Sequence, residues 1–98
     1  AKNGYNLMRT LTLAQIAHFL KCSTVLPPLA IQGYCIDSRL VKPGELFFAL
    51  KGERADGHDF LYDVQQSGAI AAVVSKDYQG HIPGLYLLPV ADPLQALQ

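Results

Sequence analysis

The stretch IDSRLVKPGELFFALKGERADGHDF, residues 36–60, decides how this chain folds. Its central segment LFFAL, residues 46–50, is apolar at every position, which is typical of a strand covered on both faces of a sheet. Before it, Lys42-Pro43-Gly44-Glu45 has Pro and Gly at the second and third positions of a type II turn. After it, residues 51–59 combine six ionisable or imidazole side chains with two glycines. Because α/β proteins place binding groups in polar loops at the ends of buried strands, we expect the site here.

On either side of this stretch, helical and strand patterns alternate along the chain. In chain order we predict a helix over residues 13–21, strands over 31–36 and 46–50, a helix that Asp59 caps and Gly68 ends, strands over 69–74 and 84–90, and a helix that begins at Asp92-Pro93. The tight turn at Pro43-Gly44 is too short for a right-handed parallel crossover, whereas the helix before residues 69–74 permits one. The sequence therefore predicts an α/β fold, with a small mixed sheet and helices packed on it.

Composition restricts the classes of protein that this chain can belong to. Its 98 residues are sufficient for one domain, and eight Lys plus Arg balance eight Asp plus Glu. Since the net charge is zero, no general affinity for nucleic acid or anionic membranes is expected. No apolar stretch is long enough to insert into a membrane. Cys22 and Cys35 lack metal-site or CxxC spacing, so we predict buried free thiols and a reducing, cytoplasmic compartment.

The two ends of the chain indicate a longer protein. Residues 1–7 precede Met8, a plausible start, and are interpreted as a tag or extension. The helix predicted at Asp92-Pro93 has five residues after its proline, too few to be stable alone. We therefore expect the parent protein to continue this helix, and to reach a strand followed by G-x-x-G-K-[ST] within a few tens of residues.

Catalytic and metal-binding patterns have little support in these residues. No GxxxxGK[ST] or GxGxxG motif is present, and Ser38 lies in no nucleophile elbow. Asp56, His58 and Asp59 carry possible metal ligands, but helix capping and loop hydrogen bonds explain them without a metal, which is the favoured interpretation. We predict no catalytic residue and no metal site in this chain.

Binding of an anionic ligand is better supported by the sequence. Arg39 and Arg54 have planar guanidinium groups suited to phosphate or carboxylate. Ser38, and backbone N–H groups near Gly52 and Gly57, could bond a sugar or a base. The structural alternative is that Asp37 and Arg39 only stabilise the turn, while Glu53 and Arg54 form a solvated surface.

A second class of function also stays open, a stand-alone protein-interaction module. An uncovered apolar patch would support that module, whereas a concave polar pocket beside the loop would support ligand binding.

Three motifs in this stretch resemble the N-terminal domain of the Mur ligases, which extend the peptidoglycan stem peptide. The family's D-[ST]-R element matches residues 37–39, its P-G-[DE]-[LI]-F-[FVI]-A-[LI] strand matches 43–50, and its G-x-x-x-D-G/A-H-x-[FY] loop matches 52–60. The segment GAIAAVVS, residues 68–75, also fits the family pattern. The resemblance covers residues 11–97.

Within that family, the loop KGERADGHDF is most similar to the MurF type, which adds D-alanyl-D-alanine to a UDP-MurNAc-tripeptide. The MurE type, which adds the third residue of the stem peptide, shares most of the pattern but usually differs at Glu53 and Arg54. It is the alternative.

The resemblance implies a role for residues 8–98 as an N-terminal domain that binds the UDP end of UDP-MurNAc-tripeptide. The substrate-binding candidates are Ile36, Ser38, Arg39, Glu53, Arg54 and Ala55, while Asp56, Gly57 and His58 are expected to shape the loop. A central domain would bind ATP and Mg²⁺ and form an acyl phosphate, and a C-terminal domain would help bind ATP and the incoming amine. This chain alone would hold no cofactor and be inactive. Its partners would be the UDP-substrate and the remaining domains of a cytoplasmic bacterial ligase in peptidoglycan precursor synthesis.

Overall fold

The structure, a computed structural model, describes residues 11–98, in which two pairs of consecutive strands are separated and flanked by helices. Its elements are α1 (Leu13–Phe19), β1 (Gly33–Cys35), β2 (Glu45–Phe48), a 3-10 helix (Gly57–Phe60), α2 (Leu61–Gln66), β3 (Ala71–Ser75), β4 (Tyr86–Val90) and α3 (Pro93–Leu97). The predicted elements are all present, with bounds that differ by a few residues. The interpretation of residues 1–7 as a tag or extension lies outside the described residues.

The four strands form one sheet in the order β1-β2-β3-β4, and each neighbouring pair is parallel. The α/β class is therefore confirmed, but the prediction of a mixed sheet is wrong for these strands. Residues 36–44 turn at Asp37, whose C=O accepts from Leu40 N–H, and Val41 then packs on the apolar cluster around Phe47. Because β1 has three residues, a connection of this length, which can span roughly 30 Å, returns to the start of β2 without a helix.

Helices and connections cover both faces of the sheet. Leu46 and Phe48 point toward α1 and α3, where they pack with Leu13 and Ala17. On the opposite face the cluster includes Phe47, Ala49, Leu61, Val64, Ala72 and Val74, with α2 packed over it. The expectation that LFFAL is buried on both sides is confirmed for residues 46–49, and Leu50 is half-buried. Each face of β2 thus removes apolar side chains from water, which is the main stabilising term for such a sheet.

Local signals at the predicted turns and helix ends have the expected geometry. The Thr12 hydroxyl accepts from Gln15 N–H and the Gln15 side chain accepts from Thr12 N–H, a capping box. Gly44 has φ +82°, as the third position of a type II turn requires. Asp92 accepts from two backbone N–H groups at the start of α3. These local interactions fix where each element begins and ends.

The cap of the helix after β2 is not the predicted one. Asp59 does not cap it; the Asp56 carboxylate accepts from His58 N–H and caps the 3-10 helix instead. Phe60 then precedes α2 without any side-chain cap. A 3-10 turn, which has no strong sequence periodicity of its own, occupies residues 57–60, so α2 begins at Leu61 and not directly after Asp59.

Cys22 and Cys35 are free thiols, each half-buried rather than fully buried. Among the helices of residues 11–98, none combines the length and apolar character needed to span a membrane.

Candidate functional site

The candidate site lies at the carboxyl ends of the parallel strands. Cys35 at the end of β1 is in register with Phe47 of β2, so the loops after these two strands leave the same edge of the sheet, side by side. The nine predicted site residues all belong to these two loops. In open α/β sheets this edge is where ligands bind, because strand ends and loop backbone groups converge there.

The loop after β1 is organised by an ion pair between Asp37 and Arg39. Arg39 Nε donates to Asp37 Oδ1 at 3.0 Å and Nη2 donates to Oδ2 at 2.9 Å, and Arg39 N–H also donates to Oδ1 at 2.9 Å. The Arg39 guanidinium holds the pKa of Asp37 below its usual value, and the same contact raises the pKa of Arg39. The Cys35 thiol donates to Asp37 C=O at 3.1 Å. All of these contacts are local.

This ion pair is the contact expected if Asp37 and Arg39 only stabilise the turn. It does not use all of the hydrogen-bond donors of Arg39. The Arg39 side chain is 85% exposed, and two of its five N–H donors point at Asp37. The remaining donors face solvent. Ile36 is exposed beside it and Ser38 is half-buried. The loop therefore presents a pre-oriented cation together with a hydroxyl group.

The loop after β2 is a small hairpin, residues 51–56. Lys51 and Asp56 form an antiparallel bridge, and Gly52 N–H donates to Ala55 C=O at 2.8 Å. Glu53 and Arg54 lie at its tip, exposed, and no hydrogen bond or ion pair to another side chain of residues 11–98 holds either of them. The tip thus carries one anionic and one cationic side chain that are both available to a ligand.

Gly57 lets this hairpin lie against the end of β2. Its N–H donates to Leu50 C=O at 2.8 Å, and a Cβ built on it would meet Leu50 N at 2.8 Å and Ala49 Cα at 2.9 Å. Those are backbone atoms, which cannot move aside as a flexible side chain could. Glycine is required here by close approach.

His58 joins the hairpin to β3. Its Nε2 accepts from Ser75 N–H at 2.9 Å, so the proton of the neutral ring is on Nδ1, which donates to Asp56 Oδ1 at 2.6 Å. The ring also packs on Tyr78, with 5.4 Å between centroids. The Asp56 carboxylate accepts from both the backbone N–H and the ring of His58, and these bonds hold the pKa of Asp56 below its usual value.

A cleft of about 780 Å³ opens between the hairpin and the N-terminus of α3. Its polar lining residues are Lys51, Asp56, His58, Asp59, Ser75, Asp77, Tyr78 and Asp92. Two of the three residues predicted to shape the loop, Asp56 and His58, contribute to it, whereas Gly57 and the six predicted substrate-binding residues lie outside its lining. Sequence analysis missed Ser75, Tyr78 and Asp92; the only signal for them was that each follows a predicted strand, at the same sheet edge.

The Asp56 carboxylate and the His58 imidazole are both held by hydrogen bonds at this edge of the sheet. Within residues 11–98, no group of three or more His, Cys, Asp and Glu side chains could hold a metal ion. Asp56 and His58 bind each other, and the second nitrogen of His58 is occupied by Ser75 N–H. An imidazole engaged on both sides has no free atom with which to act as a general base.

Comparison with known proteins gives this edge of the sheet a family context. Residues 30–93 match the family model "Mur ligase family, catalytic domain". The chain belongs to the Mur ligase family. The N-terminal-domain resemblance of residues 36–60 is thereby confirmed at the level of family and fold.

Relatives within the Mur ligase family are similar in sequence and in structure. A UDP-N-acetylmuramoyl-L-alanyl-D-glutamate--2,6-diaminopimelate ligase of Aquifex aeolicus is 39% identical over 67 residues, covering 68% of this chain and 13% of that protein. The corresponding ligase of Mesorhizobium japonicum is 44% identical over 71 residues, covering 70% of this chain and 14% of that protein. A crystal structure of MurF from Acinetobacter baumannii has TM-score 0.73 and 32% identity, over 89% of this chain and 19% of that one. The chain thus spans a fifth or less of these Mur ligases.

Proposed function

We propose that this domain binds the UDP end of UDP-MurNAc-tripeptide, as the N-terminal part of a cytoplasmic ATP-dependent ligase that adds D-alanyl-D-alanine in peptidoglycan precursor synthesis. The observation that carries the proposal is the pair of adjacent polar loops after β1 and β2, each with an exposed arginine, on a Mur ligase fold. A diphosphate suits these cations, because a guanidinium can offer two parallel N–H donors to phosphate oxygens. Ser38 and the backbone of the hairpin would then meet the ribose or the uracil.

Such a handle contributes to catalysis without taking part in the chemistry. Contacts to the nucleotide end supply binding energy that orients the reacting carboxylate at the far end of the substrate. This division of labour agrees with a site that has cations and loop backbone groups but no available general base.

ATP and Mg²⁺ would be bound by other parts of the parent protein. The 98 residues contain no GxxxxGK[ST] motif, so the backbone cradle and lysine that hold nucleotide triphosphates are not supplied by this chain. The donor set at the sheet edge also does not fit Mg²⁺, since no three carboxylate, imidazole or thiol side chains of residues 11–98 come together there, and Asp56 is engaged by His58. We derive no step of the ligase reaction from these residues.

The proposal is tested by titrating UDP into the ¹⁵N-labelled chain and following its amide resonances. We expect weak binding, with a Kd of roughly high micromolar to millimolar, because one end of the substrate is offered to one domain. Shifts should concentrate in residues 36–39 and 52–58. No shift at millimolar UDP, or shifts confined to other regions, would contradict the proposal.

A second candidate is a ligase that adds the third residue of the stem peptide. It is favoured by the names of the sequence relatives, which include 2,6-diaminopimelate ligases, whereas MurF is the solved structure that covers 89% of this chain. The two functions share the UDP end and differ in the acceptor. The parent enzyme should consume UDP-MurNAc-tripeptide with D-alanyl-D-alanine; turnover of UDP-MurNAc-dipeptide with diaminopimelate or lysine instead would establish the second candidate.

The interaction-module alternative has an observation of its own, an apolar groove of about 570 Å³ beside α1 and α3. Phe19, 82% exposed, and Tyr34, 66% exposed, lie along it. The polar cleft beside the hairpin supports ligand binding over the interaction module, and membership of the Mur ligase family also supports ligand binding. Loss of UDP shifts together with self-association or capture of a protein through the groove would favour the module.

A further inference from the structure

His58 connects the hairpin of residues 51–56 to the body of the sheet. We propose that His58 is a positioning residue for the substrate: as a neutral imidazole it fixes the hairpin on the end of β3, and on protonation it releases the hairpin and weakens binding of the UDP end. The inference rests on the proposed function only in assuming that the hairpin binds this ligand. The contact itself can be tested independently.

The bond from Ser75 to His58 differs in reach from the other side-chain hydrogen bonds of the described residues. It joins residues 17 apart in sequence, whereas each of the others within residues 11–98 joins residues no more than three apart. The His58 side chain is 13% exposed, so the bond is largely shielded from water. The His58 imidazole therefore supplies the side-chain hydrogen bond that joins the end of the hairpin to β3.

Protonation changes which partner His58 can hold. In the neutral ring Nε2 is an acceptor for Ser75 N–H, and a proton on Nε2 would bring two donors face to face. The same proton would make the ring a cation next to the Asp56 carboxylate, whose Oδ1 lies 2.6 Å from Nδ1. The neutral ring thus links the hairpin to β3, while the charged ring binds Asp56 of its own loop more strongly and loses Ser75.

Other charged and titratable groups surround this ring. Those on the hairpin and the 3-10 helix are Lys51, Asp56 and Asp59; after β3 they are Asp77 and Tyr78, and at the start of α3 there is Asp92. Asp56 stays ionised through the neutral and mildly acidic range, because its pKa lies below the usual value for a carboxyl group. An experiment must therefore separate His58 from these neighbours, which a non-titrating substitution at position 58 does.

Glutamine is the informative substitution. In His58→Gln, the amide oxygen can still accept from Ser75 N–H, and the side chain has no proton that titrates. In His58→Phe, a ring of similar size can still pack on Tyr78, but it accepts no hydrogen bond. His81→Gln is the matched control, since His81 is exposed and distant in sequence from the hairpin.

The experiment measures the Kd of UDP-N-acetylglucosamine for the 98-residue chain over a pH series from neutral to mildly acidic, the range in which histidine side chains change charge. A UDP-sugar is used because a terminal phosphate, as in UDP, itself titrates near about pH 6. Because only the neutral ring can accept from Ser75 N–H, Kd should rise about tenfold when nine tenths of the molecules carry the protonated ring. His58→Gln should show a flat profile near the high-pH affinity, His58→Phe a weak and flat one, and His81→Gln the unaltered profile.

A second readout follows the Ser75 amide and does not depend on ligand. Hydrogen exchange at Ser75 should accelerate on acidification, after correction for intrinsic rates, and in His58→Phe at every pH of the series, but not in His58→Gln. If UDP-sugar binds to none of the proteins while Ser75 responds as described, the proposed function fails and the positioning contact survives. If His58→Gln retains the tenfold pH effect, or Ser75 protection is unchanged in His58→Phe, the inference is overturned.

Discussion

The loops after β1 and β2 leave the same edge of the sheet, yet different kinds of contact hold them. The loop after β1 is organised by Asp37 and Arg39, two residues apart and largely in solvent. The loop after β2 depends on the rest of the fold, because Gly57 lies against the backbone of Ala49 and His58 bonds Ser75. The carboxyl edge of the sheet thus combines two kinds of loop. The loop after β1 is exposed and held by local contacts, whereas the loop after β2 is anchored by tertiary contacts. Substitutions at the anchoring residues of the second loop, Asp56, Gly57 and His58, should therefore lower stability more than substitutions in the first loop or at the hairpin tip.

The largest effect is expected from Gly57→Ala. The added Cβ would lie under 3 Å from Leu50 N and Ala49 Cα, so the hairpin or the end of β2 must shift. We expect the free energy of unfolding to fall by about 2–3 kcal/mol, as for overpacked interiors, measured by urea denaturation. Gly52→Ala is the matched control in the same loop, because its Cβ would meet Ala55 O at 3.2 Å, a milder contact. Equal effects of the two substitutions would show that the hairpin is not anchored at Gly57.

Asp56→Ala should have the next largest effect. It removes the cap of the 3-10 helix and the partner of the His58 ring, for an expected loss of about 1 kcal/mol at neutral pH. Asp56→Asn, which keeps an oxygen at the cap, should lose less.

The contribution of the Asp56 carboxylate to the free energy of unfolding should depend on pH. The folded-state pKa of Asp56 is depressed, so its charge stabilises the fold above the unfolded pKa of about 3.9 and this contribution is lost as pH falls through the folded value. The stability difference between the unmodified chain and Asp56→Asn should therefore be largest above about pH 5 and shrink below about pH 4. A difference that persists or grows as the pH falls below about 4 would contradict the assigned role of the carboxylate.

Arg54→Ala should leave the stability of the fold nearly unchanged but weaken binding of the UDP-substrate. Arg54 is exposed at the hairpin tip, and a surface substitution of this kind changes stability by no more than about 0.5 kcal/mol. In the full-length ligase we expect KM for the UDP-substrate to rise with kcat little changed, because the contact lies far from the reacting atoms. An unaltered KM, or a large fall in Tm, would exclude the proposed phosphate contact. Lys42→Ala is the control, because Lys42 is an exposed cation in the turn before β2, at the opposite end of that strand, and its loss should leave KM unchanged.

The smallest effect on stability is expected from Arg39→Ala. Its ion pair with Asp37 is solvent-exposed, so thermal unfolding should show no measurable change in Tm. The affinity for a UDP-sugar should nevertheless fall, by about fivefold if Arg39 makes one exposed charge contact with the diphosphate. Asp37→Asn leaves the arginine but removes its ion pair, so its affinity for a UDP-sugar should lie between those of the unmodified chain and of Arg39→Ala. If Arg39→Ala lowers the stability of the fold as much as Asp56→Ala does, the two loops do not differ in how much their contacts stabilise the fold.

Local features of this protein could be predicted from its sequence because they arise within a few residues. The Thr12–Gln15 capping box and the cap at Asp92 depend on side chains that contact backbone at most three residues away. The turn at Gly44 depends on the positive φ that glycine adopts without strain. The doubly buried strand at residues 46–48 follows from its unbroken apolar run. The three motifs of residues 36–60 also led to the family, which the match over residues 30–93 confirms. The substrate-binding roles of the six candidate residues stay predictions.

Strand direction and the anchoring of the site required the tertiary structure. The loop from Asp37 to Gly44 contains a tight turn that resembles a hairpin in sequence, yet β1 and β2 are parallel, because a strand of three residues needs only a short return path and Val41 gains burial along it. Asp59 looked like a helix cap, but a 3-10 turn moved that role to Asp56. Two partners of His58 belong to another part of the chain: Ser75 ends β3 and Tyr78 lies just after it. No spacing rule joins groups that only the assembled sheet brings together. The sequence by itself therefore determined the elements, their caps and the family, whereas strand direction, the cleft and the histidine contact were decided by packing between distant segments.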